Sequence, residues 1–222
     1  LNENAATLHY TELTDSYPEN RHSMLIDAGA SFNGYACDIT RTYGSAGEFT
    51  ALIAAVDELQ QALCASVTAG RSYVDIHLQA HALVGSALAN LGLVNCSSES
   101  AVEQGITSVF LPHGIGHFIG LQVHDVGGHQ ANPEGAVAPP PERHPFLRLT
   151  RTLEPGHVVT IEPGIYIIDQ LLEDARNQAF ASDINWSQVA RLRPFGGVRI
   201  EDDVVCTDNA PENLTRDAFA AL

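Results

Sequence analysis

The chain has 222 residues, a net charge of −16 from 27 acidic and 11 basic side chains, and a mean hydropathy near zero. That length suffices for one large core or two small ones, and 45% hydrophobic residues is an ordinary globular share. The acidity argues against nucleic acid or an anionic membrane as partner, and no apolar run reaches the ~20 residues that a transmembrane helix needs.

Residues 5–10, AATLHY, have strand composition, and a strand is expected there, closed by His9, Tyr10 and Thr11. A chain that opens on such a segment is expected to begin inside a domain. Residues 14–23, with Pro18 and Asn20, read as a loop. Residues 25–43, LIDAGASFNGYACDITRTY, read as two strands around a turn signal at Ser31, Phe32, Asn33 and Gly34. A turn centred between Phe32 and Asn33 sets Asp27 opposite Asp38. Directly opposed residues have Cβ atoms roughly 4.5–5.5 Å apart, where like charges destabilise the pair. Exposure, protonation of one carboxyl or a cation between them would each relieve the repulsion. The hairpin alone does not choose.

Residues 47–68 carry Leu52, Ile53, Val56, Leu59, Leu63 and Val67 at helical spacing, and Ala69 and Gly70 stop the run. Ser72 with Asp75 resembles a capping box, so a second helix should run to about Leu91, with Gly92 as its end signal. His77 and His81 share one face of it. No carboxylate lies between them as in a zincin, which favours a solvated or packing face over metal ligands. Residues 95–107 look irregular. His113, His117 and His124 then fall close together among glycines. The glycines speak against a helix and suit a backbone passing close to something, which favours a functional site. Residues 131–148 form a Pro-rich internal surface loop, with His129 and His144 read as surface residues.

Residues 158–161 read as an apolar strand leading into Glu162, Pro163 and Gly164, with Thr160 and Glu162 on one face. Residues 165–168 continue extended, and 171–192 look like a polar insertion with some helix. A last strand over 198–205 puts Arg199 and Glu201 on one face and Ile200 on the other. Cys37, Cys64, Cys96 and Cys206 are scattered with no CxxC pair, and read as free thiols of a cytoplasmic protein.

Three apolar strands therefore each place acid at a defined position: Asp27 and Asp38, Glu162, and Glu201. If these carboxylates and His117 converge in a mostly buried sheet, they cannot all stay ionised without cations. Desolvation costs several kcal/mol for each unpaired ion. Oxygen ligands with one imidazole suit Mn²⁺, Co²⁺, Fe²⁺ or Zn²⁺. Spacing alone does not establish the convergence.

The segments AATLHYTEL, LIDAGASFNGYACDITRTY, LPHGIGHFIGLQVHDVGG, PPERHPFLRLTRTLEPGHVVTIEPGIY and PFGGVRIEDDVV resemble the bacterial Xaa-Pro dipeptidases (prolidases) of metallopeptidase family M24. They are also similar to the organophosphorus acid anhydrolases. The resemblance spans nearly the whole chain. Its five-ligand pattern is common to the pita-bread metallopeptidases, while HPFLRLTR and the insertion after GIYIID match the prolidase branch.

The resemblance implies an α+β pita-bread fold, a strongly curved and mostly antiparallel sheet with flanking helices. Residues 1–222 would be the C-terminal catalytic domain without its first helix and strand, with the N-terminal half of the protein a separate or missing chain. It further implies two divalent metal ions, Mn²⁺ ahead of Co²⁺ or Zn²⁺. Asp27 would chelate one ion, His117 and Glu162 the other, and Asp38 and Glu201 would bridge both. A hydroxide held between them would attack the peptide carbonyl of an Xaa-Pro dipeptide. Glu162 would shuttle its proton, and His124 would stabilise the tetrahedral intermediate. Arg199 would hold the proline carboxylate, with His113 and His9 as further substrate contacts. A cytoplasmic homodimer is the expected assembly, and organophosphorus esters a side substrate. Aminopeptidase P-like cleavage of longer peptides and a catalytically silent binding module of the same fold are the alternatives.

Overall fold

Asn33 and Gly34 both have positive φ, 52° and 84°. Two such residues in succession make the tight turn whose twist matches that of the flanking strands. In the computed structural model, which describes residues 1–12, 15, 18–45, 47–132 and 134–222, the hairpin is built around that pair. Its strands are β1 (Ser23–Ala28), β2 (Ser31–Phe32), β3 (Tyr35–Ala36) and β4 (Ile39–Gly44), with β2 on β3 and β1 antiparallel to β4. The turn centre lies one position later than expected, so Asp27 faces Thr40 and not Asp38. Moving the centre by one position moves every partner by two, which preserves the face. Asp38 is therefore a diagonal neighbour of Asp27, still on its side of the sheet.

The sheet continues through four strands from the second half of the chain. They are β5 (Val158–Ile161), β6 (Gly164–Tyr166), β7 (Gly197–Arg199) and β8 (Asp202–Val205). Ile161 pairs with Asp202 and Gly164 with Arg199, so β5–β8 and β6–β7 keep one common register. That register sets Glu162 opposite Glu201, where the ladder lapses. Pro163 has no N–H to give and only accepts from Ile200 N–H at 3.4 Å. The single strand expected over 198–205 is broken at this point for that reason.

Along the other edge, Glu201 N–H donates to Thr40 O at 3.1 Å, and Asp38 N–H to Asp203 Oδ2 at 3.2 Å. These bonds lay β4 beside β7 and β8. Residues 115–119 run along the free side of β5, through bonds from Thr160 N–H to His117 O and from Glu162 N–H to Ile115 O. The short β9 (Glu212–Asn213) closes against β8.

Two helices cover one face. In α1 (Gly47–Cys64) Leu52, Val56, Leu59 and Leu63 are buried; in α2 (Tyr73–Asn90) Ile76, Ala80, Val84 and Leu88 are. They form the core together with Val159, Ile161, Ile165, Val198 and Val204 of the sheet. Ser72 caps α2 by accepting from Val74 N–H, and Gly92 follows its end at φ 66°. Helix α1 stops short of residue 68, because Thr68 bridges Thr207 instead.

Several expectations need correction. The N-terminal segment is a 3-10 helix (Asn2–Ala6) and not a strand, since the Asn2 side chain donates to Asn20 O and accepts from His22 N–H, tying the segment crosswise. Residues 95–107 are not irregular: they contain α3 (Ser98–Glu103) and α4 (Ile106–Phe110), too short to show a period. The insertion carries α5 (Asp169–Arg176) and α6 (Trp186–Leu192), and α7 (Leu214–Ala220) follows β9. Of the loop read over 14–23, Thr14, Ser16 and Tyr17 lie outside the described residues; so does Pro133 of the Pro-rich loop. The four cysteines are free thiols. Among the described residues no helix is long and apolar enough to cross a membrane.

Candidate metal centre

All nine residues expected at the site, His9, Asp27, Asp38, His113, His117, His124, Glu162, Arg199 and Glu201, border one cavity of about 680 Å³. Ligand oxygens of Asp27, Asp38 and Glu201 come within 4.8 Å of one another, and so do ligand atoms of His117, Glu162 and Glu201. His117 Nε2 stands 3.8 Å from both Asp38 Oδ2 and Glu162 Oε1. Its Nδ1 lies 2.8 Å from Phe118 O, and a carbonyl can only accept, so Nδ1 carries the hydrogen. Burial holds the ring neutral, lowering its pKa to about 4. A bare nitrogen lone pair therefore faces two carboxyl groups. That donor set fits a divalent cation.

Gly116 makes this approach possible. Its φ is 152°, and a Cβ there would run into Thr160 O and the Tyr73 hydroxyl. Without one, residues 115–119 close onto β5, and His117 N–H reaches Thr160 Oγ1 at 3.1 Å.

Asp38, Glu162 and Glu201 sit at breaks in the ladders, whereas Asp27 lies within β1 opposite Thr40. Glu201 is only 2% exposed and accepts from Thr40 Oγ1 at 2.6 Å. Burial, then the charges of Glu162 and Asp38, push its carboxyl well above the usual range. Glu162 is pushed up to about 8, chiefly by burial, with Arg199 pulling back. Asp38 rises to about 6 through burial and then the Asp27 charge. Behind it, burial raises Asp203 to about 7, and Asp203 Oδ1 has no hydrogen-bond partner.

Arg199, 5% exposed, donates to Asp27 Oδ2 at 2.6 Å and to the Tyr166 hydroxyl at 3.1 Å. The hydroxyl lies 2.9 Å from His113 Nε2, and His113 Nδ1 lies 2.7 Å from Gly114 O. With Nδ1–H given to that carbonyl, Nε2 accepts from Tyr166. The order of donation is thus Arg199 to Tyr166 to His113, and burial lowers His113 to about 4. His124 is exposed, its ring edge-on to His117 with centroids 4.4 Å apart. His9 is exposed on the rim.

Sequence reasoning missed Thr40 and Tyr166. Tyr166 shares the parity of Glu162 along β5 and β6, a signal that could have found it. The Pro-rich loop is more than surface: Phe146, Leu147 and Arg148 wall the cavity. His129 also borders it, half-buried, with Nε2 2.9 Å from Leu147 O. His144 is half-buried against the rings of His77 and His81, apart from this site.

The chain is 54% identical over 223 aligned residues to an Xaa-Pro dipeptidase of Stenotrophomonas maltophilia (strain K279a), covering all of this chain and 50% of that protein. It is 53% identical to an Xaa-Pro dipeptidase of Xanthomonas campestris pv. campestris (strain B100), with all of this chain and 51% of that protein covered. The chain thus spans about half the length of these curated relatives. Among solved structures, Pseudomonas aeruginosa aminopeptidase PepP superposes with a TM-score of 0.75 at 32% identity, over 97% of this chain and 42% of that one. Zinc-substituted Escherichia coli aminopeptidase P in complex with product gives 0.71 at 31%, with the same coverage. The sequence pattern of metallopeptidase family M24 matches residues 1–208. With the antiparallel sheet and its carboxylate cage, these likenesses make the chain a member of metallopeptidase family M24, in that family's pita-bread fold.

Proposed function

We propose that residues 1–222 form the catalytic portion of a two-metal hydrolase that cleaves Xaa-Pro dipeptides. The observation that carries the reading is the convergence of Asp38, Glu162 and Glu201 on the bare nitrogen of His117, with Asp27 joining Asp38 and Glu201, in a cavity that also exposes a buried arginine. Identities of 51–54% to proteins named Xaa-Pro dipeptidase support it.

Asp27 would help to hold one cation, His117 and Glu162 the other, and Asp38 and Glu201 would contribute to both. When bound, two divalent ions supply a nucleophile from water at neutral pH and polarise the scissile carbonyl. Mn²⁺ suits the oxygen-rich donors best, with Co²⁺ or Zn²⁺ as substitutes. Glu162 takes the proton of the attacking water and delivers it to the leaving proline nitrogen. His124 donates to the oxyanion of the tetrahedral intermediate. Arg199 grips the proline carboxylate with both arms of its fork, once Asp27 turns to its cation. Tyr166 steadies that fork and keeps His113 oriented on the substrate wall, and His9 makes a further contact at the rim. An electrophilic phosphoryl group fits the same chemistry, so organophosphorus esters are side substrates. The family resemblance extends the proposal to a cytoplasmic homodimer.

Asp38→Ala or Glu201→Ala should abolish both metal uptake and hydrolysis of Gly-Pro-type dipeptides. An active, metal-free Asp38→Ala protein would overturn the reading. The superposition on aminopeptidase P favours a second one, release of the residue before proline from longer peptides. Comparing a dipeptide with a tripeptide that carries proline second separates the two.

A further inference from the structure

Away from the carboxylate cage, three imidazoles meet that the proposed chemistry does not use. His77 and His81 lie one turn apart on α2, and His144 reaches them from the Pro-rich segment. Their ring centroids are 4.8, 4.6 and 4.4 Å apart, and one ring nitrogen of each lies within 4.8 Å of the others. His77 and His81 are 1% and 2% exposed. His77 Nδ1 and His81 Nε2 are buried with no hydrogen-bond partner. Two unsatisfied nitrogens on adjoining rings carry a desolvation penalty with no hydrogen bond to offset it.

The far side of His81 is arranged as a ligand's would be. Its Nδ1 lies 2.9 Å from the buried Thr107 Oγ1. The tautomer that donates there leaves Nε2 as a bare lone pair. Burial holds His77 and His81 near 2 and 3 and lowers His144 as well, so all three rings are neutral, the form that binds metal. Arg143 donates to Glu103 O at 3.0 Å, and after burial its charge also favours the neutral form of His81 and His144. A cavity of about 180 Å³ bordered by His77 and His144 leaves room for an entering ion and a fourth ligand.

We propose that His77, His81 and His144 form a separate tri-imidazole site for a borderline divalent transition ion, zinc, which ties the segment 144–148 to α2. Three imidazoles without a carboxylate select zinc over manganese, the reverse of the cage. Three protein ligands leave the fourth tetrahedral position to water. The residues directly after His144, from Pro145 to Arg148, wall the main cavity, and His113 borders both cavities. An ion at the triad therefore fixes one wall of the main cavity without touching the cage.

The test is calorimetric titration with Zn²⁺ of the Asp38→Asn/Glu201→Gln protein, whose cage is disabled. One zinc per chain should bind, and His144→Ala in the same background should weaken it at least 100-fold. Hydrogen exchange over residues 142–148 should slow at least tenfold on zinc addition, and should not respond after His77→Gln. His144 stands half-buried on a loop, so its removal spares the core. If the cage variant does not fold, total metal retained by the wild-type protein through desalting should exceed that of His144→Ala by one ion per chain. Equal totals, absence of zinc binding in the cage variant, or unchanged affinity in His144→Ala overturns the site. It shares no residue with the cage, so its failure would leave the peptidase reading untouched.

Discussion

Thr40 touches more of the site than its size suggests. Its hydroxyl donates to Glu201, its carbonyl accepts from Glu201 N–H, and Arg199 Nε approaches it at 3.4 Å. Thr40→Val keeps the shape and removes the hydroxyl. A hydrogen bond to a charged group contributes about 1.5–3 kcal/mol, and losing an outer partner typically costs a metal site about 10–100-fold in affinity. A fall of that size is expected by calorimetry, with Thr40→Ser restoring most of it; unchanged affinity would show that Thr40 does not orient Glu201. Arg199→Lys should raise KM for an Xaa-Pro dipeptide at least tenfold with a smaller change in kcat, because lysine cannot form the two-armed contact. An amide-capped substrate should respond little, and an equal response would remove Arg199 from carboxylate binding. The charged residues of the site were legible because acids on apolar strands are conspicuous and the family motifs name them. Their neutral partners Thr40 and Tyr166 were not, since a threonine or tyrosine in a strand is ordinary until a carboxylate or guanidinium is seen beside it.

Gly116 shows how one position can hold two elements together. An added Cβ meets the carbonyl of Thr160, which cannot yield without disturbing β5. Gly116→Ala should cost about 1–3 kcal/mol in strain alone, read from denaturant midpoints, and should displace His117 enough to abolish tight metal binding. A stable variant with full metal content would mean that the segment closes onto β5 by other means. Metal removal should free the cage-bearing strands first. Amide exchange in β1, β4 and residues 115–119 should quicken while α1 and α2 stay protected; equal loosening of the helices would contradict this. The hairpin was readable in outline because alternation fixes faces. Its register was not, since the turn centre depends on which residues take positive φ, and Asn33 with Gly34 outbid Phe32 with Asn33. The helices α3 and α4 escaped notice because fewer than two turns each cannot display a period. The meeting of His144 with His77 and His81 depends on a loop path that no local pattern encodes.

At the scale of the whole molecule, buried ionisable groups set opposing pH limbs. Asp38, Glu162 and Asp203 have folded pKa values of about 6, 8 and 7, above their ordinary 3.8, 4.5 and 3.8. Groups raised in this way stabilise the fold below the unfolded pKa and lose that contribution as pH rises through the folded one. His77 and His81 are shifted oppositely, from 6.5 to about 2 and 3, so their contribution is complete above pH 6.5 and is lost as pH falls. Metal-free protein should therefore lose thermal stability between about pH 6.5 and 8, where only the carboxylate limb acts. Divalent cations, which need the ionised form, should stabilise it more as pH rises over that window. A metal-free melting temperature that climbs toward pH 8 would contradict the protonated cage.

The hydrogen bond between Thr40 and Glu201 joins residues 161 positions apart, and the cage closes only through β7 and β8. On the ribosome, Asp27, Asp38, His117 and Glu162 all emerge well before Arg199 and Glu201 do. A nascent chain stalled before residue 197 carries most of the acid of the centre and none of the strand that organises it, so metal loading has to wait until β7 and β8 have been made.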